Sequence, residues 1–486
     1  MIALDRGIGG CDPGMGHAGP LRNRLDPALS CRGGLTINQR RVLCRVFLVS
    51  GILGLFYPVV IMWTLGVIVL IIFLAMLLVR LFLTVYGFLA VVFQPCRASI
   101  LRPGISLWER ANQSCPVYSI LVPVYDEAPV IAQLAAALCK LNWPAECLDI
   151  QILLEEDDET TRRAARAAAF PAGTRLTIVP AGGPKTKPNA LNVGLDRVRG
   201  TFVCVFDAED RPHPDQLLEA YWRFSRADRA LACLQAPLIG RGVPGSWISA
   251  QWSLEYLVNF KLIQPALARL GLPVSLGGTS NHFRTSVLRN CGGWDAWNVT
   301  EDADLGYRLL RRSFKLDMIT APTFEDGPDR LTIWLCQRSR WIKGFMKTWG
   351  VLMRDPRRLL RELGLVRFVC LHLTLGSAIL GPFLAAPLIL AFGLSLSLGV
   401  AWSPMGWALL CAGLTVLTLG DILALRFQSR NRVALLMTRW LYWPLHTLAA
   451  IKAVWELVRC PWFWAKTPHT PSIEGEKYEC WTGLSV

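Results

Sequence analysis

The hydropathy pattern is dominated by two apolar runs near the two ends of the chain. Residues 47–94 carry a single charge, Arg80, and residues 368–420 contain no Asp, Glu, Lys or Arg. A membrane helix needs about 20 apolar residues, so each run is long enough for two crossings. The second run predicts a break near Gly381 and Pro382, because proline interrupts helical hydrogen bonding.

A third apolar stretch, residues 433–458, is interrupted by Arg439, Lys452 and Glu456. Two interpretations stay open for this stretch. It crosses the membrane once more, or it lies in the interface and is held there by aromatic side chains. The aromatic anchors would be Trp440, Tyr442, Trp443 and Trp455.

Between these apolar end regions, short apolar runs alternate with helical stretches such as residues 129–141. Such alternation predicts a parallel, doubly wound α/β sheet, in which ligands bind at the carboxyl ends of the strands. Several of the predicted strands end in acidic residues, which repel one another unless a cation lies nearby. The strand-like runs are residues 118–127, 148–160, 175–183 and 200–210.

The charge distribution predicts the topology of the chain. The net charge is +15, and arginines cluster before the first apolar run, which favours a cytoplasmic N-terminus in the inner (plasma) membrane. Two crossings would return the chain to the cytoplasm, so the soluble domain is expected there. A nucleic-acid partner is not expected, because the soluble part has no basic stripe with interleaved aromatics.

The expected organisation is therefore helices, one soluble domain, and helices again. Its parts are a disordered basic N-terminus (1–43), two transmembrane helices (44–94), a cytoplasmic α/β domain ending in an amphipathic interface helix (95–350), two to four transmembrane or interface helices (351–458), and a short tail (459–486).

Two stretches of the soluble domain are candidates for binding a metal and a phosphate. In DAED, residues 207–210, Asp207 and Glu209 follow a strand and offer oxygen ligands to Mg²⁺ or Mn²⁺. In KTKPN, Lys185 and Lys187 precede a helix expected to start at about Asn189, which suits a phosphate. A solvated turn and an ordinary basic loop are the alternatives.

Two later stretches add a candidate base and a membrane-proximal helix. In residues 298–312, Thr300 is expected to cap a helix whose first turn carries Glu301 and Asp302, and one of these acids is a candidate general base. Simple capping is the alternative. In residues 337–349, an aromatic face predicts an amphipathic helix on the membrane surface, or merely an anchor. That face is Trp341, Phe345 and Trp349.

These motifs, in this order, resemble family 2 glycosyltransferases, specifically the membrane-embedded processive branch of cellulose, chitin, hyaluronan and curdlan synthases. That branch shows the pattern D, DxD, TED, Q(Q/R)xRW. The corresponding residues here are Asp157-Asp158, DAED (207–210), TED (300–302) and QRSRW (337–341), with PVYDE (123–127) and GGTSNHF (277–283) as further similarities. The metal motif departs from the pattern by having Glu209 in place of aspartate.

The resemblance implies a GT-A fold, a nucleotide-sugar donor such as UDP-glucose, Mg²⁺ or Mn²⁺, and inversion at the anomeric carbon. It also implies a role for each matching residue. Asp157 or Asp158 would contact the nucleotide, Lys187 and Asn189 would lie near the diphosphate, Asp207 and Glu209 would hold the metal, Asp302 beside Glu301 would be the base, and Gln337, Arg340 and Trp341 would shape the acceptor and diphosphate site. Which residue of 155–158 reaches the nucleotide stays open.

The expected activity is synthesis and extrusion of a β-linked polysaccharide. Transfer of one sugar to a lipid acceptor is the alternative, because the same catalytic residues would serve it. A transporter without enzymatic activity is disfavoured, because transporters carry acids inside their spans and the main apolar runs contain none.

Overall fold

The computed structural model describes residues 25–93, 115–399, 401, 404–427 and 433–462. Most of the expected basic N-terminus, the junction after residue 93 and the tail after residue 462 lie outside these residues.

Ten strands within the described residues form one large and one small sheet. They are β1 (Tyr118–Val124), β2 (Leu148–Glu155), β3 (Arg175–Val179), β4 (Phe202–Val205), β5 (Arg211–Pro212), β6 (Leu231–Gln235), β7 (Leu238–Arg241), β8 (Asn281–Arg284), β9 (Lys315–Met318) and β10 (Thr323–Asp326).

Helices cover the sheets and extend away from them. In chain order they are α1 (Ile37–Phe56), α2 (Pro58–Val92), α3 (Ile131–Leu138), α4 (Glu159–Ala167), α5 (Lys187–Asp196), α6 (Gln216–Arg226), α7 (Trp247–Val258), α8 (Gln264–Arg269), α9 (Thr285–Asn290), α10 (Glu301–Arg311), α11 (Leu331–Leu352), α12 (Pro356–Ser397), α13 (Pro404–Leu425), α14 (Val433–Met437) and α15 (Arg439–Arg459). A π-helical turn, Asn259–Ile263, joins α7 to α8.

The four predicted strands are present as β1 to β4. The large sheet has the order β3-β2-β1-β4-β8-β6-β9, and its neighbours are parallel except that β8 runs antiparallel to β4 and β6. Successive side chains of β1 enter hydrophobic clusters on opposite faces, with Leu121 on one face and Ile120 and Val122 on the other. Both faces are therefore covered, which explains the continuous apolar runs.

The membrane-type helices differ from the prediction at the N-terminal end. Within the described part of the chain, three helices are long and apolar enough to cross a membrane, namely α2, α12 and α13. The two helices expected over residues 44–94 correspond to α1 and α2, which are separated at Tyr57, and of these two α2 is among the three. The preceding helix α1 contains Arg40, Arg41 and Arg45 and is not among the three.

The predicted break near Gly381 and Pro382 is wrong, because α12 continues to Ser397 and α13 begins at Pro404. The Thr447 hydroxyl of α15 donates a hydrogen bond to the Pro382 carbonyl and accepts one from the Ala386 N–H at 3.1 Å. The Thr447 hydroxyl therefore takes the place of the direct backbone hydrogen bond between Ala386 and Pro382. Both backbone groups stay hydrogen-bonded in this proline-containing part of α12.

Part of the N-terminus expected to be disordered is folded against the domain. The Ser30 hydroxyl and the Cys31 N–H donate to the buried Asp295 carboxylate at 2.8 and 2.6 Å. The Arg354 guanidinium donates to the carbonyls of Pro27 and Ala28 at 3.1 and 2.8 Å. These contacts order the residues that precede α1, so the prediction of disorder up to residue 43 does not hold for them.

Candidate active site

A cavity of about 640 Å³ begins at the carboxyl edge of the large sheet and continues between α2, α12 and α13. Eight of the eleven residues that the motifs single out line this cavity. They are Lys187, Asp207, Glu209, Glu301, Asp302, Gln337, Arg340 and Trp341. Segments more than 150 residues apart in sequence therefore meet in one place.

Asp157 and Asp158 are not among the residues that line the cavity. Asp158 caps α4, where its carboxylate accepts from the Thr161 N–H at 3.0 Å and from the Asp126 N–H at 2.5 Å. Asp157 is exposed and pairs with Lys185. Of the four acids in residues 155–158, the cavity is lined by Glu155, which is buried at the end of β2.

Asn189 is the third predicted residue that lies away from the cavity. Helix α5 starts at Lys187, two residues before the predicted start, so Asn189 falls inside the first turn and is buried. The cavity is lined instead by Thr186, Lys187 and Ala190.

Lys187 connects the two acidic parts of the site. Its ammonium group donates to the Gly278 carbonyl at 2.7 Å and pairs with Asp207. Burial alone would lower the pKa of Lys187, but the charges of Asp207 and Glu301 raise it above its ordinary value. Lys187 is therefore a fixed cation. Gly278 lies between the two polar groups, because a Cβ at this position would lie 3.5 Å from both Lys187 Nζ and Asp302 Oδ2.

The DAED turn is shaped by its last residue. Asp210 is buried, and its Oδ2 accepts from the Asp207 N–H at 2.6 Å and from the Thr279 hydroxyl. Its Oδ1 is buried without a hydrogen-bond partner. This arrangement leaves Asp207 and Glu209 on the cavity wall.

The acids around this turn are held close together. Burial, followed by the charges of Asp207 and Glu209, raises the pKa of Asp210 well above its ordinary value. Burial and the charges of Asp210 and Glu209 do the same to the pKa of Glu325, which extends from β10. A cation in this place would relieve the mutual repulsion of these carboxylates.

The donor set fits a hard divalent cation. Across the described residues, no three His, Cys, Asp or Glu side chains already converge as a metal centre. Asp207 and Glu209 supply two carboxylates on the cavity wall, and Mg²⁺ is commonly held by one or two carboxylates together with substrate phosphates and water.

Glu301 and Asp302 open α10 beside Lys187. Burial, and then the charge of Asp302, raises the pKa of Glu301 to about 8. Burial also raises the pKa of Asp302, whose Oδ1 accepts from the Ala303 N–H at 2.8 Å. Asp304, the third acid of this turn, pairs with Arg308 at 2.7 Å, so Glu301 and Asp302 are the two acids of the turn that line the cavity. Thr300 holds the N-cap position, but its hydroxyl donates to Asn298 at 3.4 Å.

Arg340 faces these acids from α11. Burial lowers the pKa of its guanidinium, although the charges of Glu301, Asp302 and Asp207 act in the opposite direction. Its Nε is buried and has no hydrogen-bond partner. The arginine is therefore a cation close to the acidic site and not committed to a structural hydrogen bond through that nitrogen.

The other QRSRW side chains build the wall next to Arg340. Gln337 accepts from the Trp252 indole N–H at 3.0 Å. Trp341 stacks on Tyr256, with ring centroids 6.1 Å apart, and Tyr256 stacks in turn on Trp252 at 3.9 Å. Trp341 thus faces the cavity and does not form a free apolar surface with Phe345 and Trp349. Phe345 packs against the hydrophobic core, whereas Trp349 is exposed.

Sequence reasoning missed several residues of the cavity. Glu325 could have been found, because it ends a short strand in the run TFED, as the other acids do. Glu255 and Tyr256 carry no such signal, because they belong to no charged or strand-ending run and reach the cavity only through the fold. Thr279 belongs to the GGTSNHF stretch already noted for its similarity to the family.

Comparison with known proteins identifies the domain. The model of the "Glycosyltransferase like family 2" matches residues 116–344. These residues, just under half of the chain, are similar to a family 2 glycosyltransferase domain and are called the glycosyltransferase domain below. A mannosyltransferase from Pyrobaculum calidifontis, solved with GDP-Man and Mn²⁺, superimposes with a TM-score of 0.51 at 18% identity, covering 80% of this chain and 99% of that one. The glycosyltransferase domain accordingly has the GT-A fold, with a mostly parallel sheet.

Two curated relatives each match about half of the chain. The beta-monoglucosyldiacylglycerol synthase of Nostoc sp. is 28% identical over 252 residues, which is 50% of this chain and 52% of that protein. Glucomannan 4-beta-mannosyltransferase 1 of Oryza sativa subsp. japonica is 25% identical over 259 residues, which is 49% of this chain and 47% of that protein. The chain thus spans about half the length of these relatives.

Proposed function

We propose that the protein is an inverting membrane glycosyltransferase that moves a sugar from a nucleotide diphosphate, UDP being the first choice, to an acceptor hydroxyl. The observation that carries the proposal is the arrangement around Lys187, which joins the Asp207 carboxylate to the Gly278 carbonyl beside Asp302. Asp207 on the donor side, the cation Lys187 and the candidate base Asp302 therefore line the same cavity. The family of the domain supports the reaction class.

On the donor side, Glu155 lies where the nucleotide would reach the end of β2, and Lys187 would contact the diphosphate. Asp207 and Glu209 would hold Mg²⁺ or Mn²⁺. When bound, such an ion neutralises the negative charge of the diphosphate. The solved mannosyltransferase carries Mn²⁺ with its own donor, which supports the same choice here.

The transfer itself is a single displacement. Asp302 takes the proton of the acceptor hydroxyl while the acceptor oxygen bonds to the anomeric carbon, and the bond from that carbon to the diphosphate oxygen breaks. Arg340 stabilises the charge that develops on the leaving diphosphate, because a buried guanidinium in a low-dielectric site acts strongly on it. Glu301, whose pKa is about 8, keeps a proton at neutral pH beside the base.

The part of the cavity beyond Trp341 favours a lipid acceptor. Its wall between the membrane-type helices is mostly aliphatic, which suits alkyl chains better than a polyhydroxylated polymer. The aliphatic lining residues of these helices include Met76, Leu77, Leu384, Leu388, Ile389, Leu410, Leu414 and Leu417. A diacylglycerol-modifying enzyme among the relatives agrees with a lipid acceptor.

Extension of a β-linked polysaccharide, with its extrusion, is the second candidate. The stack of Trp252, Tyr256 and Trp341 supports it, because flat aromatic faces bind sugar rings. Under either candidate we propose that the glycosyltransferase domain lies on the cytoplasmic side, where nucleotide sugars are made, and that α2, α12 and α13 cross the membrane.

The test uses purified full-length protein in lipid vesicles with Mg²⁺ or Mn²⁺ and a panel of radiolabelled nucleotide sugars. A small, solvent-extractable labelled product from one donor supports lipid glycosylation, and a high-molecular-weight product supports polymer synthesis. Either product must disappear in Asp302→Asn. Full transfer by Asp302→Asn would overturn the assignment of the base, and no product from any donor would overturn the proposed function.

A further inference from the structure

Arg80 is the one charge in the 47–94 run, and its side chain lines the cavity. The helix around it, α2, is otherwise apolar. Ionisable residues inside membrane-type helices are costly and mark functional sites or pathways. Within the described part of the chain, Arg80 forms neither a hydrogen bond nor an ion pair within 4 Å. Its guanidinium is therefore available to a group that enters the cavity.

The charges that surround Arg80 do not supply this partner. The groups that it faces are Asp421, Glu255 and Arg439. Asp421 is paired with Arg439, at 2.9 and 3.2 Å, in a buried and bidentate contact.

Glu255 is likewise occupied, by Arg338 at 2.7 and 2.6 Å. It also accepts from the Tyr442 hydroxyl at 2.7 Å, and His446 lies 3.7 Å from it. Each of these two carboxylates is thus paired with one guanidinium. Among the described charged groups around Arg80, the Arg80 guanidinium is therefore the cation in excess. An anion is its natural complement.

The position of Arg80 along α2 indicates how deep its charge lies in the membrane. Large apolar side chains are exposed along α2 from Val59 to Phe82, a length of about 35 Å at 1.5 Å per residue. Beyond Phe82, the residues Leu83, Thr84 and Gly87 are buried, and Gly87 lies against the Leu262 backbone. Since a hydrocarbon core is about 30 Å thick, Arg80 lies near the level of lipid head groups.

We propose that Arg80 binds the phosphate of a lipid head group whose alkyl chains occupy the aliphatic part of the cavity between α2, α12 and α13. This inference rests on the proposed function in one respect, namely that lipids enter the cavity. A guanidinium matches phosphate oxygens in a bidentate manner, and the neighbouring aliphatic wall selects a phosphate that carries alkyl chains. The phosphate belongs to the acceptor lipid or to a phospholipid of the bilayer.

The experiment measures equilibrium binding of two radiolabelled lipids with identical chains, phosphatidic acid and diacylglycerol, to the full-length protein in detergent. Wild type is compared with Arg80→Gln, with Arg80→Lys, which keeps the charge, and with Arg45→Gln, which removes an exposed arginine of α1. We expect wild type, Arg80→Lys and Arg45→Gln to prefer phosphatidic acid about tenfold or more, and Arg80→Gln to lose that preference.

Equal binding of the two lipids by wild type would overturn the inference, and so would a full preference in Arg80→Gln. A loss of UDP binding in Arg80→Gln would also overturn it, because Arg80 would then serve the donor diphosphate. Binding is repeated in Asp302→Asn, where the preference should persist without chemistry. If wild type transfers no sugar but still prefers phosphatidic acid over diacylglycerol, the proposed function is wrong and the head-group site stands.

The source of the phosphate follows from a transfer assay with both lipids. Both acylated glycerol oxygens of phosphatidic acid are esterified, so sugar can be added to it only at a phosphate oxygen, which gives a glycosyl phosphate. Arg80-dependent formation of that product identifies the bound phosphate as the acceptor. Sugar appearing only on diacylglycerol, with phosphatidic acid still bound at Arg80, identifies a bilayer phospholipid. Both results support the site itself.

Discussion

Arg338 donates two hydrogen bonds to the Glu255 carboxylate, at 2.7 and 2.6 Å, and so ties α11 to α7. The Arg338 side chain is buried and also packs over the rings of Trp334 and Trp341. Arg340, two residues further along the same helix, faces the acids of the candidate active site instead. The two arginines of QRSRW therefore have different tasks, one in packing and one at the reacting groups.

We expect Arg338→Gln to destabilise the protein strongly. The substitution removes the bidentate partner of Glu255, whose side chain is partly exposed to the cavity and keeps the Tyr442 hydroxyl as a donor, so the cost is about 1.5–3 kcal/mol. The measurement is thermal unfolding in detergent. The double variant Arg338→Gln, Glu255→Gln should regain much of the loss, because no unpaired charge remains. An unchanged unfolding temperature in Arg338→Gln would show that this ion pair does not secure the helix.

Arg340→Gln should have the opposite profile. Its removal deprives the leaving diphosphate of a buried cation, so the transfer rate should fall about 10²–10³-fold. The unfolding temperature should not fall, since the Nε of Arg340 has no hydrogen-bond partner and its burial disfavours the charge. Rates from labelled donor and unfolding curves of the same preparation provide the comparison. A variant that is both active and less stable would assign Arg340 to packing.

Metal dependence should reside in Asp207 and Glu209. We expect a chelator to abolish transfer and Asp207→Asn to abolish the tight binding of Mn²⁺ in the presence of UDP, measured by electron paramagnetic resonance. Asp157→Asn is the matched control, since Asp157 is exposed, pairs with Lys185 and is not itself among the residues that line the cavity. Normal Mn²⁺ binding by Asp207→Asn would move the metal elsewhere, and impaired binding by Asp157→Asn would return the first aspartate to the site.

The raised pKa of Glu301 predicts how stability depends on pH. Burial and the charge of Asp302 raise this pKa from 4.5 to about 8, so between these values the folded protein holds a proton that the unfolded chain releases. The stabilising contribution of Glu301 is complete below pH 4.5 and is lost as pH rises towards 8. In Glu301→Gln, the unfolding temperature should fall less between pH 5 and 8 than in wild type, without donor or metal. Parallel curves would contradict the shift.

The sequence predicts the features that depend on neighbouring residues. The four apolar runs became β1 to β4, and DAED follows β4 at the sheet edge, because a strand buried on both faces is apolar over its whole length. Asp207 and Glu209 reach the cavity for the same reason, since the carboxyl ends of parallel strands meet at one edge of the sheet.

Features that depend on contacts between distant segments were not predictable. In residues 155–158 four acids follow one another, and the choice of Glu155 for the cavity depends on β2 ending there and on Asp158 capping α4. Glu255 acquires its role only because α7 packs beside α11 and α15. The continuation of α12 past Pro382 depends on a threonine 65 residues away in sequence.

That threonine provides the last prediction. Thr447→Val keeps the shape of the side chain but leaves the Pro382 carbonyl and the Ala386 N–H without the hydroxyl that bonds both. In an apolar surrounding each unpaired group costs about 1–3 kcal/mol, so the variant should unfold at a clearly lower temperature. Thr374→Val is the matched control, because the Thr374 hydroxyl merely donates to the Cys370 carbonyl within α12, at 2.8 Å, and its loss frees no backbone N–H. Equal effects of the two substitutions would mean that α12 does not need the α15 hydroxyl between Pro382 and Ala386, and that its prolines are tolerated for another reason.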